Sequence, residues 1–152
     1  MNNNILSIKN ISKHFPGVLA NDNVSFDIQN NSVHALLGEN GAGKSTLVKI
    51  LYGILEHDKG EILFNNEDYF VNSPAEARKN GIGMVFQHFS LFDSLTVAEN
   101  LILGLDEKIS LSKLKNKVEI LSSKYELPLD LEAPITTLSA GEKQRVEIIR
   151  IL

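Results

Sequence analysis

Apolar and polar residues alternate in two places near the start of the chain. Over 5–10, Leu6 and Ile8 interleave with Ile5, Ser7 and Lys9; over 24–29, Val24, Phe26 and Ile28 interleave with Ser25 and Asp27. A period of two puts alternate side chains on one face, so both segments read as strands of an antiparallel edge or subsheet. Val33-His34-Ala35-Leu36-Leu37 is different, a short β-rich apolar run of the kind that becomes a parallel strand buried on both faces. Leu47, Ile50, Leu51 and Leu55 then recur at helical spacing. Asp58-Lys59-Gly60 predicts a turn, and 61–64 a further strand ended by Asn65-Asn66. Ser73-Pro74-Ala75-Glu76 carries a helix start, with Ser as N-cap, Pro at the first position and Glu placed for a capping box; Asn80-Gly81 is its stop. A second short apolar strand is expected over 82–86, ending at the polar Gln87. From 95 to 125 the pattern turns helical. Leu111, Leu114, Val118, Leu121 and Tyr125 make one apolar stripe, and Lys113, Lys115, Lys117 and Lys124 form a solvated face off it. Pro128 and Pro134 break helices, and Leu138-Ser139-Ala140-Gly141-Glu142 opens a last helix running to Leu152. Asn-rich positions 2–4, 21–23, 30–31 and 65–66 read as turns, since Asn tolerates left-handed backbone.

Between the 33–37 run and the helix after it stands Gly38-Glu39-Asn40-Gly41-Ala42-Gly43-Lys44-Ser45, which fits G-x-x-x-x-G-K-[ST] without a gap. Glycines let the backbone fold tightly and turn successive N–H groups onto phosphate oxygens, and the helix that follows adds its positive end. Lys44 is expected to reach the β- and γ-phosphates, and Ser45 to ligate Mg²⁺. A generic phosphate loop leaves kinases, GTPases, helicases and transport ATPases open.

Composition narrows the classes. The chain has 152 residues, 43% of them hydrophobic, which suffices for one globular domain with a core, expected to be folded and soluble. Net charge is −4, and the 15 Lys and Arg are scattered, so nucleic acid or acidic lipid is not expected as the main partner. There are no cysteines, which excludes disulfides and thiol chemistry. His14, His34, His57 and His88 lack ligand spacing, and none is assigned to a metal. Neither a secretory leader nor an apolar run of membrane-spanning length is seen.

Two further features discriminate. Leu138-Ser139-Ala140-Gly141-Glu142-Lys143-Gln144-Arg145-Val146-Glu147 resembles the LSGGQ-x-QR signature of ATP-binding-cassette (ABC) ATPases. A serine hydroxyl and glycine N–H groups at a helix N-terminus make a second phosphate cradle, and the resemblance implies that Ser139 and Gly141 complete the site of an opposing cassette. The competing reading is an ordinary helix capped by Ser139 with Glu142 in a capping box. Gln87 is similar in order and spacing to the family's Q-loop glutamine, which implies contact with Mg²⁺ or the attacking water and a link to membrane subunits. Phe15 stands where the family places an aromatic ring on adenine; a core Phe is the alternative.

The resemblance spans essentially the whole chain and narrows further. Lys13-His14-Phe15-Pro16-Gly17-Val18-Leu19-Ala20-Asn21-Asp22-Asn23-Val24-Ser25-Phe26 and the loop through Thr46 look like the first cassette of simple-sugar and nucleoside importers. Gly83-Met84-Val85-Phe86-Gln87-His88-Phe89 is nearer the nucleoside branch. The implied architecture is an α/β fold, a P-loop NTPase core of the ABC type with an antiparallel β subdomain and a helical subdomain. Within it, 1–87 would form the core and β subdomain, 88–137 the helical subdomain, and 138–152 the signature and its helix. The implied site is Phe15, Gly38, Glu39, Asn40, Gly41, Ala42, Gly43, Lys44, Ser45, Thr46, Ser139 and Gly141 for ATP, Ser45 and Gln87 for Mg²⁺, and Lys44 and Gln87 for catalysis.

Two departures qualify this. Ala140 and Glu142 replace a glycine and the glutamine of LSGGQ, and an acid near a γ-phosphate is unfavourable unless it points away. The family's Walker B strand, an apolar run ending in Asp-Glu, has no counterpart here, so the expectation is a partial cassette, lacking its C-terminal part, with little turnover of its own. The intact protein is expected to be an energy-coupling ATPase of an importer at the cytoplasmic face of the plasma membrane. Its partners would be transmembrane permease subunits, a second ABC cassette and, indirectly, a substrate-binding lipoprotein. The alternatives are a soluble ABC ATPase unconnected with transport and a nucleotide-binding module without turnover.

Overall fold

A computed structural model describes residues 4–105 and 109–152; of the turn expected over 2–4, residues 2 and 3 lie outside these and Asn4 is in a strand, and the helical expectation over 106–108 lies outside them too. The chain divides into two compact units, one through Ile82 and the other Gly83–Leu152.

The first unit is built on β1 (Asn4–Phe15) and β2 (Val18–Gln29), followed by α1 (Lys44–Leu51), β3 (Lys59–Phe64), β4 (Glu67–Asp68) and α2 (Pro74–Lys79). The four strands form one antiparallel sheet in the order β2-β1-β3-β4. The first two strands are longer than their alternation predicts, because β1 contains a bulge. Asn10 takes a left-handed φ of 53°, donates its N–H to Ser25 Oγ at 2.8 Å and accepts the Ser25 hydroxyl at 3.1 Å. The register shifts between Ile8 and Ile11, so two residues at odd spacing both enter the core, at 1% and 0% exposed. Pro16 and Gly17 close the hairpin, with Gly17 at φ 78° and Phe15 opposite Val18.

Several expectations are corrected here, the first being the turn at 21–23, which lies within β2. Lys59 and Gly60 belong to β3 and not to a turn. A Cβ on Gly60 would run into the carbonyl oxygens of Lys9 and Asn10, so this glycine serves the close approach of β3 to the bulge. The 33–37 and 82–86 runs pair with no strand among the described residues. A strand exists through its ladder, and the four strands here bond only to one another. Val33 and Leu37 are consequently exposed, at 101% and 87%. The helix start at 73–76 has the expected N-cap and N1 proline, Ser73 accepting the Glu76 N–H, but not the expected capping box: Glu76 reaches back one residue further, to the Asn72 N–H at 2.9 Å. Gly81 ends α2 at φ 85°.

The second unit is helical, with α3 (Val97–Leu103), α4 (Leu111–Tyr125), a 3-10 turn (Ile135–Thr137) and α5 (Ala140–Ile151). Val97, Ala98, Leu101, Leu114, Val118, Ile135, Val146 and Ile149 form its core. Of the α4 stripe, Leu114 and Val118 are buried and Leu121 packs at the edge, whereas Leu111 and Tyr125 are exposed. Only the middle of the helix faces α3 and α5. Glu126, at φ 55°, ends α4 ahead of Pro128. No helix among the described residues is long and apolar enough to cross a membrane.

Asp58 ties the segment after α1 to the end of β1. Its carboxylate accepts from Lys13 Nζ at 2.9 Å and from the His14 N–H at 2.6 Å, while its own N–H donates to the Ser12 carbonyl at 2.8 Å. The Lys13 hydrogen bond, then the His14 N–H, lower its pKa from 3.8 to about 2. A carboxylate with a depressed pKa stabilises the fold above its ordinary value, and that contribution disappears as pH falls from 3.8 through about 2. Asp58→Asn is therefore expected to lower the thermal midpoint at neutral pH, with the gap to the parent closing between those two values; a gap independent of pH would contradict the assignment.

Candidate functional site

The phosphate loop begins with a β-turn in which the Ala42 N–H donates to the Glu39 carbonyl at 3.2 Å, with Gly41 at φ 86°. It ends at Gly43, which caps α1 in a left-handed conformation, φ 80° and ψ 0°. Two constraints meet at Gly43: its φ is one that L side chains rarely adopt, and an added Cβ would strike the Ala20 carbonyl oxygen and Asn21 Nδ2. The loop is thus pressed against β2, and Asn21 Nδ2 donates to the Gly43 carbonyl at 3.2 Å. Asn21 is 5% exposed, and its Oδ1 is buried without a hydrogen-bond partner.

Helix α1 differs from the other four described α-helices in how it starts. Ser73, Thr96, Ser110 and Ser139 each accept a first-turn N–H with a side-chain oxygen, whereas α1 has no side-chain cap. Its first intrahelical bond runs from the Leu47 N–H to the Gly43 carbonyl at 3.0 Å. The donors at Lys44, Ser45 and Thr46 therefore face outward from a positive helix end, the arrangement that accepts an anion. Lys44 lies across the loop: its ammonium donates to the carbonyls of Gly38 at 2.6 Å and Glu39 at 2.7 Å. An ammonium has three donors, so one remains for a phosphate oxygen. Ser45 is exposed beside it. A glycine-rich cradle, an uncapped helix end and a fixed cation fit the triphosphate of a nucleotide.

Phe15 ends β1 on the same hairpin that holds the loop through Asn21, and its ring is 38% exposed rather than in the core. Lys13 Nζ sits 5.7 Å from the ring centroid. An exposed aromatic face of this kind can stack on a base.

The second unit holds the other predicted residues. Gln87 is exposed in a bend, not at a strand end. The segment after it is pinned to α5 through a group that sequence reading missed. Glu147 is 1% exposed, and its Oε1 accepts from the Ser90 N–H at 2.7 Å, the Ser90 hydroxyl at 3.0 Å and Arg150 Nη2 at 3.0 Å. Arg150 Nη1 also donates to the Ser90 carbonyl at 2.9 Å. Asn100, 1% exposed, binds both the N–H and the carbonyl of Phe92. A Glu on the buried stripe of α5, three residues before an Arg, was the available signal; Asn21 gave none, because it sits within a stretch read as turn chemistry.

Ser139 caps α5 in a complete capping box. Its hydroxyl accepts the Glu142 N–H at 3.3 Å and donates to Glu142 Oε2 at 2.6 Å, and its own N–H donates to Oε2 at 2.9 Å. Glu142 thus folds back onto the helix end, where first the Ser139 hydroxyl and then its N–H lower the carboxyl pKa and keep it ionised. Gly141 is open to solvent, with nothing within 4 Å of an added Cβ.

Comparison with known proteins bears on both units. Residues 21–152 match the ABC transporter family. The chain is 44% identical to the guanosine import ATP-binding protein NupO of Bacillus subtilis, over 97% of this chain and 30% of that protein. It is 42% identical to the ribose import ATP-binding protein RbsA of Hahella chejuensis, over 99% and 31%. It thus spans about 30% of the length of these curated relatives. An ATP-binding cassette of an ABC transporter, solved in its ADP conformation, superposes with a TM-score of 0.84 at 30% identity, over 97% of this chain and 64% of that one. With the strand-built phosphate-loop unit and the capped Ser139 helix both matched along its length, the chain belongs to the ABC transporter family.

Proposed function

We propose that the chain is the nucleotide-gripping part of an ATP-hydrolysing subunit that drives import of nucleosides or simple sugars. The uncapped start of α1, with Lys44 beside it, carries this reading: it offers fixed donors and one cation to a polyphosphate, and no internal side chain competes for them. Phe15 supplies a stacking face for the base. Ser45 is the proposed Mg²⁺ ligand of the first unit; the ion, when bound, neutralises charge on the phosphates.

Relatives named for guanosine and ribose import support the substrate class, and the two identities, 44% and 42%, do not separate nucleoside from sugar. The proposed partners are a membrane permease that receives the segment after Gln87, with a substrate-binding lipoprotein behind it, and a second cassette that receives Ser139 and Gly141. Such a subunit works peripherally, at the cytoplasmic face of the membrane. For Ser139 to meet a phosphate, Glu142 must release its hydroxyl, because a carboxylate 2.6 Å from that oxygen occupies the position an anion would take.

Lys44→Ala is expected to abolish Mg-ATP binding measured by calorimetry, since the anion loses its nearest fixed positive charge; unchanged affinity would refute the site. Ser139→Arg in the complete protein should leave binding to one cassette intact and prevent ATP-driven association of two. Glu142→Gln keeps a side chain able to complete the cap and removes the negative charge, so ATP-driven association should strengthen. Weaker association in that variant would show that the carboxylate does not oppose the phosphate.

A further inference from the structure

The sequence contains two Asn-Gly steps, Asn40-Gly41 in the phosphate loop and Asn80-Gly81 after α2. Asparagine is a thermolabile residue, and a following glycine exposes it most, because no side chain hinders its main-chain nitrogen and its backbone is the freest. That nitrogen attacks the asparagine Cγ. The N–Cγ bond forms, the Cγ–Nδ2 bond breaks, and ammonia leaves with the amide proton. Water then opens the resulting succinimide at Cγ to give aspartate, or at the other carbonyl to give isoaspartate. In sum, the amide and one water become a carboxylic acid and ammonia.

The fold holds the two steps differently. At Asn80 both reacting groups are engaged: Nδ2 donates to the Glu76 carbonyl at 2.9 Å and the Gly81 N–H to the Arg78 carbonyl at 2.9 Å. The Asn80 N–H bonds the Glu76 and Ala77 carbonyls, and the Ile82 N–H closes the turn onto Ala77 at 2.9 Å. At Asn40 neither the carboxamide nor the Gly41 N–H has a partner among the described residues. Both residues are exposed, and an added Cβ on Gly41 would meet nothing within 4 Å. One bond closes that turn, Ala42 N–H to Glu39 at 3.2 Å.

We propose that Asn40 is a spontaneous deamidation site whose conversion turns the phosphate loop from an anion acceptor into an anion repeller. The product adds an exposed carboxylate to the loop next to Gly41, and in the isoaspartate form also inserts a methylene into the main chain of a loop whose turn geometry is set by Gly41. The consequence for binding rests on the nucleotide reading above; the modification does not. A bound polyphosphate, by taking the loop's N–H groups, removes the nucleophile and slows the reaction.

The test follows the full chain at mildly alkaline pH by peptide mapping with mass spectrometry, which reads conversion at each step separately. Asn40 is expected to convert on the order of tenfold faster than Asn80, since several more hydrogen bonds must open at Asn80. In denaturant the two rates should converge. Equal rates in the folded chain, or a ratio that persists in denaturant, would overturn the proposal. Added Mg-ATP should slow Asn40 and leave Asn80 unchanged. Faster conversion at Asn40 that Mg-ATP does not slow would keep the modification and refute the nucleotide reading of the loop. Asn40→Asp should bind Mg-ATP roughly tenfold more weakly than Asn40→Ser, the difference isolating the charge; equal affinities would refute the switch.

Discussion

The contact of Gly43 with β2 is the constraint on which the phosphate site depends. A residue with a Cβ cannot stand where the Ala20 carbonyl and Asn21 carboxamide close on the chain, and Gly43 also holds a left-handed φ of 80° there. That conformation starts α1 without a side-chain cap, which leaves first-turn donors pointing away from the protein. The other α-helices of the chain use Ser or Thr to satisfy the same donors. One backbone residue thus decides between a closed helix end and one that accepts an anion. The hairpin that presses on Gly43 also carries the exposed Phe15 ring, so that ring and the glycine-rich loop are positioned by one element, and Asp58 fixes the end of β1 that carries Phe15.

The second unit manages its charges by a different rule. Glu147 is buried, but every bond it makes is to Ser90 or Arg150, so a carboxylate that would be costly alone becomes a clamp on the segment following Gln87. Glu142 shows the same economy at the surface. It satisfies the start of α5 internally, which is the opposite of what α1 does, although both helices open with residues that resemble phosphate-binding motifs. The two helix ends are therefore not equivalent: one is open, and the other must exchange its own carboxylate for any incoming anion.

Local chemistry was legible where the cause is local. The N-cap of α2 at Ser73, its stop at Asn80-Gly81, the capping box at Ser139 and the helix after Lys44 all rest on interactions within a few residues and appear, although that helix ends at Leu51, short of Leu55. The strands over 33–37 and 82–86 do not appear, because an apolar run states what a strand would bury but not which neighbour would pair with it. The bulge at Asn10 and the entry of Ser12 and Phe15 into β1 escaped for a related reason: a register shift breaks the period of two on which strand reading depends.

By itself, then, the amino-acid order determined the phosphate loop, the helix caps and the family those motifs resemble, because each is encoded in short-range spacing. Only the tertiary structure decided that Gly60 serves a close approach and not a turn, that Asn21 braces the loop, and that Glu147 is a buried clamp. These depend on which distant backbone comes within hydrogen-bond reach, and no spacing along the chain contains that distance.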